Sequence, residues 1–233
     1  MRVVYLSAPP HGWSMLKELS HMIFFHNQNG GNCEIVYENC SDDKPLWDEI
    51  KEYDLGINFL GSHKIPANQI NQRIRETKYY DLENMPIMKR WLNFHPAPLP
   101  ELRGRNVAYH AIMNDTKKFG ATLHYMDEEY DTGELIEVQR FPIEIGDTAG
   151  DLIRKSHECL KRMFTAYIPV VLSRGVLHSY PQEGGEYFKK EPINDCINMT
   201  YWQEKRIRAC TVAGRFHASC VIGGRKYKIT LEE

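Results

Sequence analysis

The stretch Leu92-Asn-Phe-His-Pro-Ala-Pro-Leu-Pro-Glu-Leu-Arg-Gly-Arg105 holds residue types that acyl chemistry needs. Asn93 and His95 stand two positions apart, so on a β-strand they project to the same side, and Pro96, which has no N–H, ends the ladder immediately after them. That pairs an amide donor for a developing oxyanion with an imidazole that titrates near neutral pH. A carboxylate able to orient and charge that imidazole is available from Asp131 in Asp131-Thr-Gly133. Together these are the parts of acyl transfer through a tetrahedral intermediate, and no Ser or Cys nucleophile is required if the substrate brings an amine. The same residues also fit a purely structural loop, because Asn-x-His and Asp-Thr-Gly both occur in ordinary turns. A metal centre on His95, His110 and His124 lacks close ligand spacing, and His124 sits in an alternating strand where satisfied histidines are routine, so no metal is assigned.

The elements that must position these residues alternate between strand and helix. Val3–Ser7 reads as a strand, and a helix follows with Trp13, Leu16, Leu19, Met22 and Ile23 at helical spacing. Further strands are expected at Cys33–Tyr37, Asp54–Gly61 and Ile87–Phe94, with helices near Ser41–Ile50 and Asn68–Arg75 between them. This order predicts a parallel sheet covered on both faces, with ligands beyond the carboxyl ends of its strands, in the loops after Ser7, Leu60 and Phe94. The first of those loops is not Gly-x-Gly-x-x-Gly, so a dinucleotide site is not supported. A helix at Val107–Met113 and two strands, Ala121–Tyr125 and Glu134–Arg140, come next. Thr148 precedes a long helix carrying Leu152, Ile153, Leu160, Phe164, Tyr167 and Val171, expected to break or kink near Pro169 and to stop by Gly175. From Pro181 to Pro192 the composition shifts to Gly, Glu, Lys and Pro, and Gly223-Gly224 signals a hairpin in the tail. We expect a catalytic domain over 1–180 and a small β-rich appendage over 181–233.

With 233 residues, 42% of them hydrophobic and 26% charged, the chain can bury a full core without metals or staples. A formal charge of -2 and the lack of a long single-sign run argue against a nucleic-acid partner. Cys33, Cys40, Cys159, Cys196, Cys210 and Cys220 form no Cys-x-x-Cys pair, and the first residues hold no apolar run of signal-peptide length. The expectation is a reduced, cytoplasmic protein without a membrane partner, its cysteines carrying no function.

Asn93-Phe-His95-Pro-Ala-Pro-Leu-Pro100-Glu-Leu-Arg103-Gly104 resembles the Asn-x-His-Pro-Ser-x-Leu-Pro-x-x-Arg-Gly signature of the formyltetrahydrofolate-dependent formyltransferases. Met126-Asp-Glu-Glu-Tyr-Asp131-Thr-Gly133 is similar to that family's Met-Asp-x-x-x-Asp-Thr-Gly loop, and a looser likeness runs from Met1 to about Gly175. The resemblance implies an α/β, Rossmann-like domain with a mixed, mostly parallel sheet, and formyl transfer from 10-formyltetrahydrofolate to an amine. It places the catalytic roles on Asn93, His95 and Asp131. It assigns pterin binding to the His63–Pro66 loop and to Asp127–Tyr130, hence to Lys64, Ile65, Asp127, Glu128 and Tyr130. The segment between Ile70 and Asn84 is longer and more polar than the family pattern.

The acceptor amine is expected on a nucleotide-linked amino-dideoxy sugar, because the Leu99–Arg105 version of the motif, the 184–192 arm and the tail from Ile207 look most like bacterial sugar-nucleotide N-formyltransferases. There the product serves surface polysaccharide, commonly through a thymidine diphosphate. Glycinamide ribonucleotide and methionyl-tRNA are the alternative acceptors, and a folate or nucleotide sensor is the non-enzymatic alternative. Arg103 and Arg105 are candidate diphosphate partners. His11, Gly12 and Trp13 are candidates to meet the base or sugar, with plain core the favoured reading of Trp13. The β-rich tail suggests a homodimer.

Overall fold

The computed structural model describes residues 1–9, 11–41, 45, 47–48, 50, 52–70, 90–175, 177–190, 196–197, 205, 209–210, 219–222 and 225–228. Its main sheet has six strands in the order β2-β1-β3-β4-β6-β7. These are β1 (Arg2–Ser7), β2 (Glu34–Asn39), β3 (Leu55–Phe59), β4 (Arg90–His95), β6 (Lys118–Tyr125) and β7 (Leu135–Pro142), with the short β5 (Leu102–Gly104) lying outside the sheet. The pairs β1–β2, β1–β3 and β3–β4 are parallel and β4–β6 is antiparallel, so the sheet is mixed and mostly parallel. Helices α1 (Gly12–Gln28), α2 (Ala67–Ile70), α3 (Val107–Met113) and α4 (Ala149–Leu172) complete an α/β fold.

Two compact units are built from interleaved stretches: residues 1–95, 122–137 and 160–182 in the first, and 96–121, 138–159 and 183–233 in the second. In the first unit, strand alternation sends Phe94 and Phe59 to one face, where their rings meet Phe164 of α4 at centroid distances of 5.3–5.6 Å. The other face carries Val4, Leu6, Ile65 and Trp91. There the Trp91 Nε1–H donates to the Tyr53 hydroxyl (2.8 Å), which donates to the Gln69 carbonyl (2.6 Å), so both buried aromatic polar atoms are satisfied. Asn93 and His95 belong to this second face.

The second unit packs Ala97, Leu102, Val107, Ala111, Phe119, Leu152 and Phe188 into its own core. β5 pairs in parallel with β8 (Glu186–Phe188), and β9 (Cys196–Ile197), β10 (Ser219–Ile222) and β11 (Arg225–Lys228) form a small sheet. β10 and β11 are antiparallel with Ile222 opposite Arg225, as a hairpin at Gly223-Gly224 requires, although those two glycines lie outside the described residues.

Several expectations change. Trp13 is 65% exposed, because α1 buries Met15, Leu16, Leu19 and Ile23, and Trp13 lies about 110° around the helix from the centre of that stripe. α4 runs unbroken through Pro169 to Leu172; the proline falls in the last turn, where only one intrahelical bond is lost. Its buried stripe is Leu152, Ser156, Leu160, Met163, Phe164, Ile168 and Leu172, with Ile153, Tyr167 and Val171 only half-buried at the margin. Where it is described, the expected helix over Ser41–Ile50 is not helical, Trp47 and Asp48 forming a turn; its residues 42–44, 46 and 49, the helix beyond Ile70, the strand at 87–89 and the unusual 71–84 segment lie outside the described residues.

Candidate active site

Register across three strands assembles the site. β3 sets Asn58 beside Asn93 of β4, and the antiparallel β6 sets His124 opposite Asn93 and Thr122 opposite His95. Asn58, Asn93 and His124 therefore form one polar row in the middle of a sheet, and each is at most 6% exposed. Such a row is tolerated only when its donors and acceptors meet. Asn58 Nδ2 donates to Asn93 Oδ1 (2.8 Å) and to the Gly61 carbonyl (3.2 Å). Asn93 Nδ2 lies 2.9 Å from His124 Nε2 and donates to Asp131 Oδ1 (3.2 Å).

Asp131 reaches the row from the loop between β6 and β7. The sequence there builds a fixed shape: Asp127 Oδ1 accepts from the Thr132 hydroxyl (2.6 Å) and from the Glu129 amide (3.2 Å). Asp131 itself is left-handed, with φ of 58°, a conformation Asp tolerates better than most residues. Gly133 follows because a Cβ at that position would come within 2.0 Å of the Tyr125 carbonyl oxygen. Gln182 closes the turn from outside, its Nε2 donating to the carbonyls of Gly133 (2.6 Å) and Asp131 (3.2 Å).

The resulting geometry gathers three groups on one carboxylate oxygen. His95 Nδ1 stands 3.5 Å from Asp131 Oδ1 and His124 Nε2 stands 3.8 Å away, with the His95 side chain 6% and Asp131 11% exposed. His124 Nδ1 is 2.7 Å from the Tyr125 carbonyl, and burial pushes its pKa down to about 4, against the opposing pull of Asp131, so the ring is neutral at physiological pH. A protonated His95 would pair with Asp131 in a nearly dry setting. This arrangement can stabilise an oxyanion and move a proton.

The remaining residues singled out in the sequence divide by exposure. Ile65 is 1% exposed and belongs to the core, and the Asp127 carboxylate is engaged inside its loop. Lys64, Glu128 and Tyr130 are exposed, and the Lys64 ammonium stands 5.4 Å from the centre of the Tyr130 ring, joining the two loops. Gly12 is buried against Cys40, where a Cβ would meet the Cys40 Cβ at 2.8 Å; His11 is half-buried and Trp13 open. Arg103 and Arg105 lie in the second unit, where Arg103 Nη2 donates to the Gly185 carbonyl (3.1 Å) and the Arg105 side chain is exposed. Among the described residues no group of three or more His, Cys, Asp or Glu is arranged to hold a metal ion, and no helix is long and apolar enough to cross a membrane.

Sequence reasoning passed over Asn58 and Gln182 and read His124 only as a satisfied strand histidine. A signal existed for two of them: Asn58 interrupts an otherwise apolar strand, and Thr122 and His124 alternate with Ala121 and Leu123 as Asn93 and His95 do around Phe94.

Residues 85–168 match the family model described as formyl transferase. A methionyl-tRNA formyltransferase of Geobacillus thermodenitrificans is 36% identical over 92 residues, covering 40% of this chain and 28% of that enzyme. The chain spans between about a tenth and a third of the length of the curated relatives it matches. A sugar N-formyltransferase from Shewanella sp. FDAARGOS_354 superposes with a TM-score of 0.72 at 16% identity, over 99% of this chain and 97% of that one. An N-formyltransferase of Helicobacter canadensis, solved with folinic acid and dTDP-3-aminofucose, superposes with a TM-score of 0.63 at 18% identity, over 90% and 80%. At these identities the likeness to the solved structures is one of fold. The stretch that matches the formyl transferase model, residues 85–168, is about a third of the chain and holds Asn93, His95 and Asp131.

Proposed function

We propose that this protein transfers the formyl group of 10-formyltetrahydrofolate to the amine of a nucleotide-linked amino-dideoxy sugar. The observation that carries the reading is the convergence of Asn93, His95 and Asp131 on one sheet edge, inside the stretch that matches the formyl transferase model. The neutral amine attacks the formyl carbon, forming a C–N bond and a tetrahedral oxyanion. An Asn93 N–H and His95 stabilise that oxyanion, and the Asp131 carboxylate beside His95 Nδ1 orients the ring. The attacking nitrogen gives up a proton, the folate N10 takes one, and the bond from the formyl carbon to N10 breaks to release tetrahydrofolate. All atoms of the formyl group pass to the acceptor, and no oxidant or metal enters the balance.

The folate would lie against the loops of Lys64–Ile65 and Asp127–Tyr130, with Lys64, Glu128 and Tyr130 offering side chains and Ile65 and Asp127 holding the loops in shape. The aminosugar reading, a thymidine diphosphate 4-amino-4,6-dideoxyglucose or its 3-amino analogue destined for surface polysaccharide, draws on a chain-long likeness to sugar N-formyltransferases. His11 and Trp13 then meet base or sugar, with Gly12 letting the chain approach closely, and Arg103 and Arg105 answer the diphosphate. Residues 1–180 form the catalytic domain, and 181–233 form an arm and hairpin through which two copies associate. The reaction takes place in the cytoplasm, which suits buried cysteines at 33, 40, 159 and 210 that form no disulfide among the described residues. A second acceptor class, methionyl-tRNA, is favoured by the 36% identity over 92 residues and opposed by the net charge of -2.

The test is a mass-spectrometric assay of purified protein with 10-formyltetrahydrofolate and a panel of 3-amino and 4-amino nucleotide sugars, glycinamide ribonucleotide and methionyl-tRNA. One formyl group gained by a single aminosugar is the expected result. Formylation of either other acceptor alone would move the enzyme to that substrate, and folate binding without any product would make the protein a sensor. Sedimentation as a monomer at micromolar concentration would remove the dimer.

A further inference from the structure

We propose that Asn58 and His124 are positioning residues that lock the carboxamide of Asn93 with its NH2 edge toward the reacting centre. The inference rests on the role of Asn93 proposed above.

A carboxamide turned over by 180° keeps its shape and exchanges a donor edge for an acceptor edge, so only its partners decide which edge faces the substrate. Here both ends of the polar row are tied to backbone carbonyls, which can only accept. At one end the Gly61 carbonyl is 3.2 Å from Asn58 Nδ2, and the same nitrogen is 2.8 Å from Asn93 Oδ1. Asn58 therefore offers Asn93 a donor. Among the described residues Asn58 Oδ1 has no hydrogen-bond partner although it is buried, which fits a residue held for what its nitrogen donates.

At the other end the Tyr125 carbonyl is 2.7 Å from His124 Nδ1, which must carry the proton. With the ring neutral, His124 Nε2 presents a lone pair, and the Asn93 nitrogen 2.9 Å away donates to it. The two ends reach the same answer independently. A flipped Asn93 would set its oxygen against the His124 lone pair and the Asp131 carboxylate, and its NH2 against that of Asn58. In the orientation found, one Asn93 hydrogen is spent on His124 and the other points at Asp131 Oδ1, 3.2 Å away. The second bond is the longer and is the one an oxyanion would take over.

The test replaces the donor by an acceptor of the same shape. Asn58→Asp sets an acceptor against Asn93 Oδ1, so the two ends of the row demand opposite orientations and Asn93 is no longer locked; kcat falls, by up to roughly 10²–10³-fold if the donor is lost altogether. KM for folate and acceptor should stay within about threefold. His124→Gln, which can still accept from Asn93, should retain at least tenfold more turnover than His124→Leu. 15N spectra of the ligand-free wild type should find His124 neutral with its proton on Nδ1. A folded Asn58→Asp enzyme with wild-type kcat overturns the proposal, as does a His124 proton on Nε2. If Asn58→Asp fails to fold, the Gln and Leu variants decide, and equal activity in the two overturns it. If wild type formylates no acceptor, the functional reading has failed, and the tautomer of His124 still decides the orientation of Asn93.

Discussion

Asp131 in the first unit and Asp151 in the second each stand at the centre of a polar cluster, but their neighbours come from different distances along the chain. Asp131 is met by Asn93, His95 and His124, with Asn93 38 positions away, and its side chain is 11% exposed. Asp151 is met by Thr148, three positions back, and Arg154, and its side chain is 38% exposed. The Thr148 hydroxyl donates to Asp151 Oδ2 (2.6 Å), and the Asp151 amide donates back to Thr148 (3.2 Å), closing a capping box at the start of α4. A cap satisfies backbone groups that any helix leaves open, so it serves stability. A buried row of amides and imidazoles on adjacent strands satisfies only itself and would be replaced by apolar residues at little cost to folding. On the proposed function the first cluster answers to chemistry and the second to folding, and the two should respond separately to substitution.

The sharpest break is Asp131→Asn. It keeps size and shape, removes the negative charge that faces His95 Nδ1, and should lower turnover roughly 10²–10⁴-fold. The melting temperature should move by only a few degrees, because the loop is held by Gln182, Thr132 and Gly133 rather than by the Asp131 carboxylate. Steady-state kinetics alongside thermal melting reads both. Near wild-type turnover would remove Asp131 from the mechanism and erase the contrast with Asp151.

What could be read from the sequence follows the same division between near and far. The cap at Thr148, the strand ending at Pro96 and the same-side placement of Asn93 and His95 depend on residues within a few positions, and all were legible. Asp131 was visible as a carboxylate, but only the family motif tied it to the site, because nothing local joins an Asp-Thr-Gly turn to a strand that ends at His95. Asn58 was passed over, and His124 read only as a satisfied strand histidine, because their meaning depends on register. A shift of one residue between β4 and β6 would send His124 to the face of Phe94, and sequence alone does not set that pairing. Trp13 was misplaced for a related reason: at the first turn of a helix, few residues define where the buried stripe lies.

Acid separates the two clusters by a smaller margin. His124 has an ordinary value of 6.5 and is held near 4 by burial, so between those values the unfolded chain binds a proton that the folded chain refuses. Its contribution is complete above pH 6.5 and is lost as pH falls toward 4, by about 3 kcal/mol at most. Urea unfolding across pH 7 to 4 should show the decline in wild type and lose most of it in His124→Gln. An unchanged slope would mean that His124 is already protonated in the fold, which would also undo its role as acceptor to Asn93.

The smallest effect tests the other cluster. Thr148→Ala removes the cap and should cost about 1 kcal/mol of stability while leaving kcat and KM within twofold. It should also carry a pH signature distinct from that of His124. Hydrogen bonding from Thr148 holds the Asp151 carboxyl below the ordinary carboxylate range. Its contribution is therefore present above about pH 4, the unfolded value, and is lost as pH falls through the lower folded one. Wild type should lose stability in two adjacent windows, the upper belonging to His124 and the lower to Asp151, and Thr148→Ala should flatten only the lower. A cap variant that instead slowed turnover tenfold would show that the start of α4 is coupled to the chemistry, and the separation drawn from the two aspartates would fail at that point.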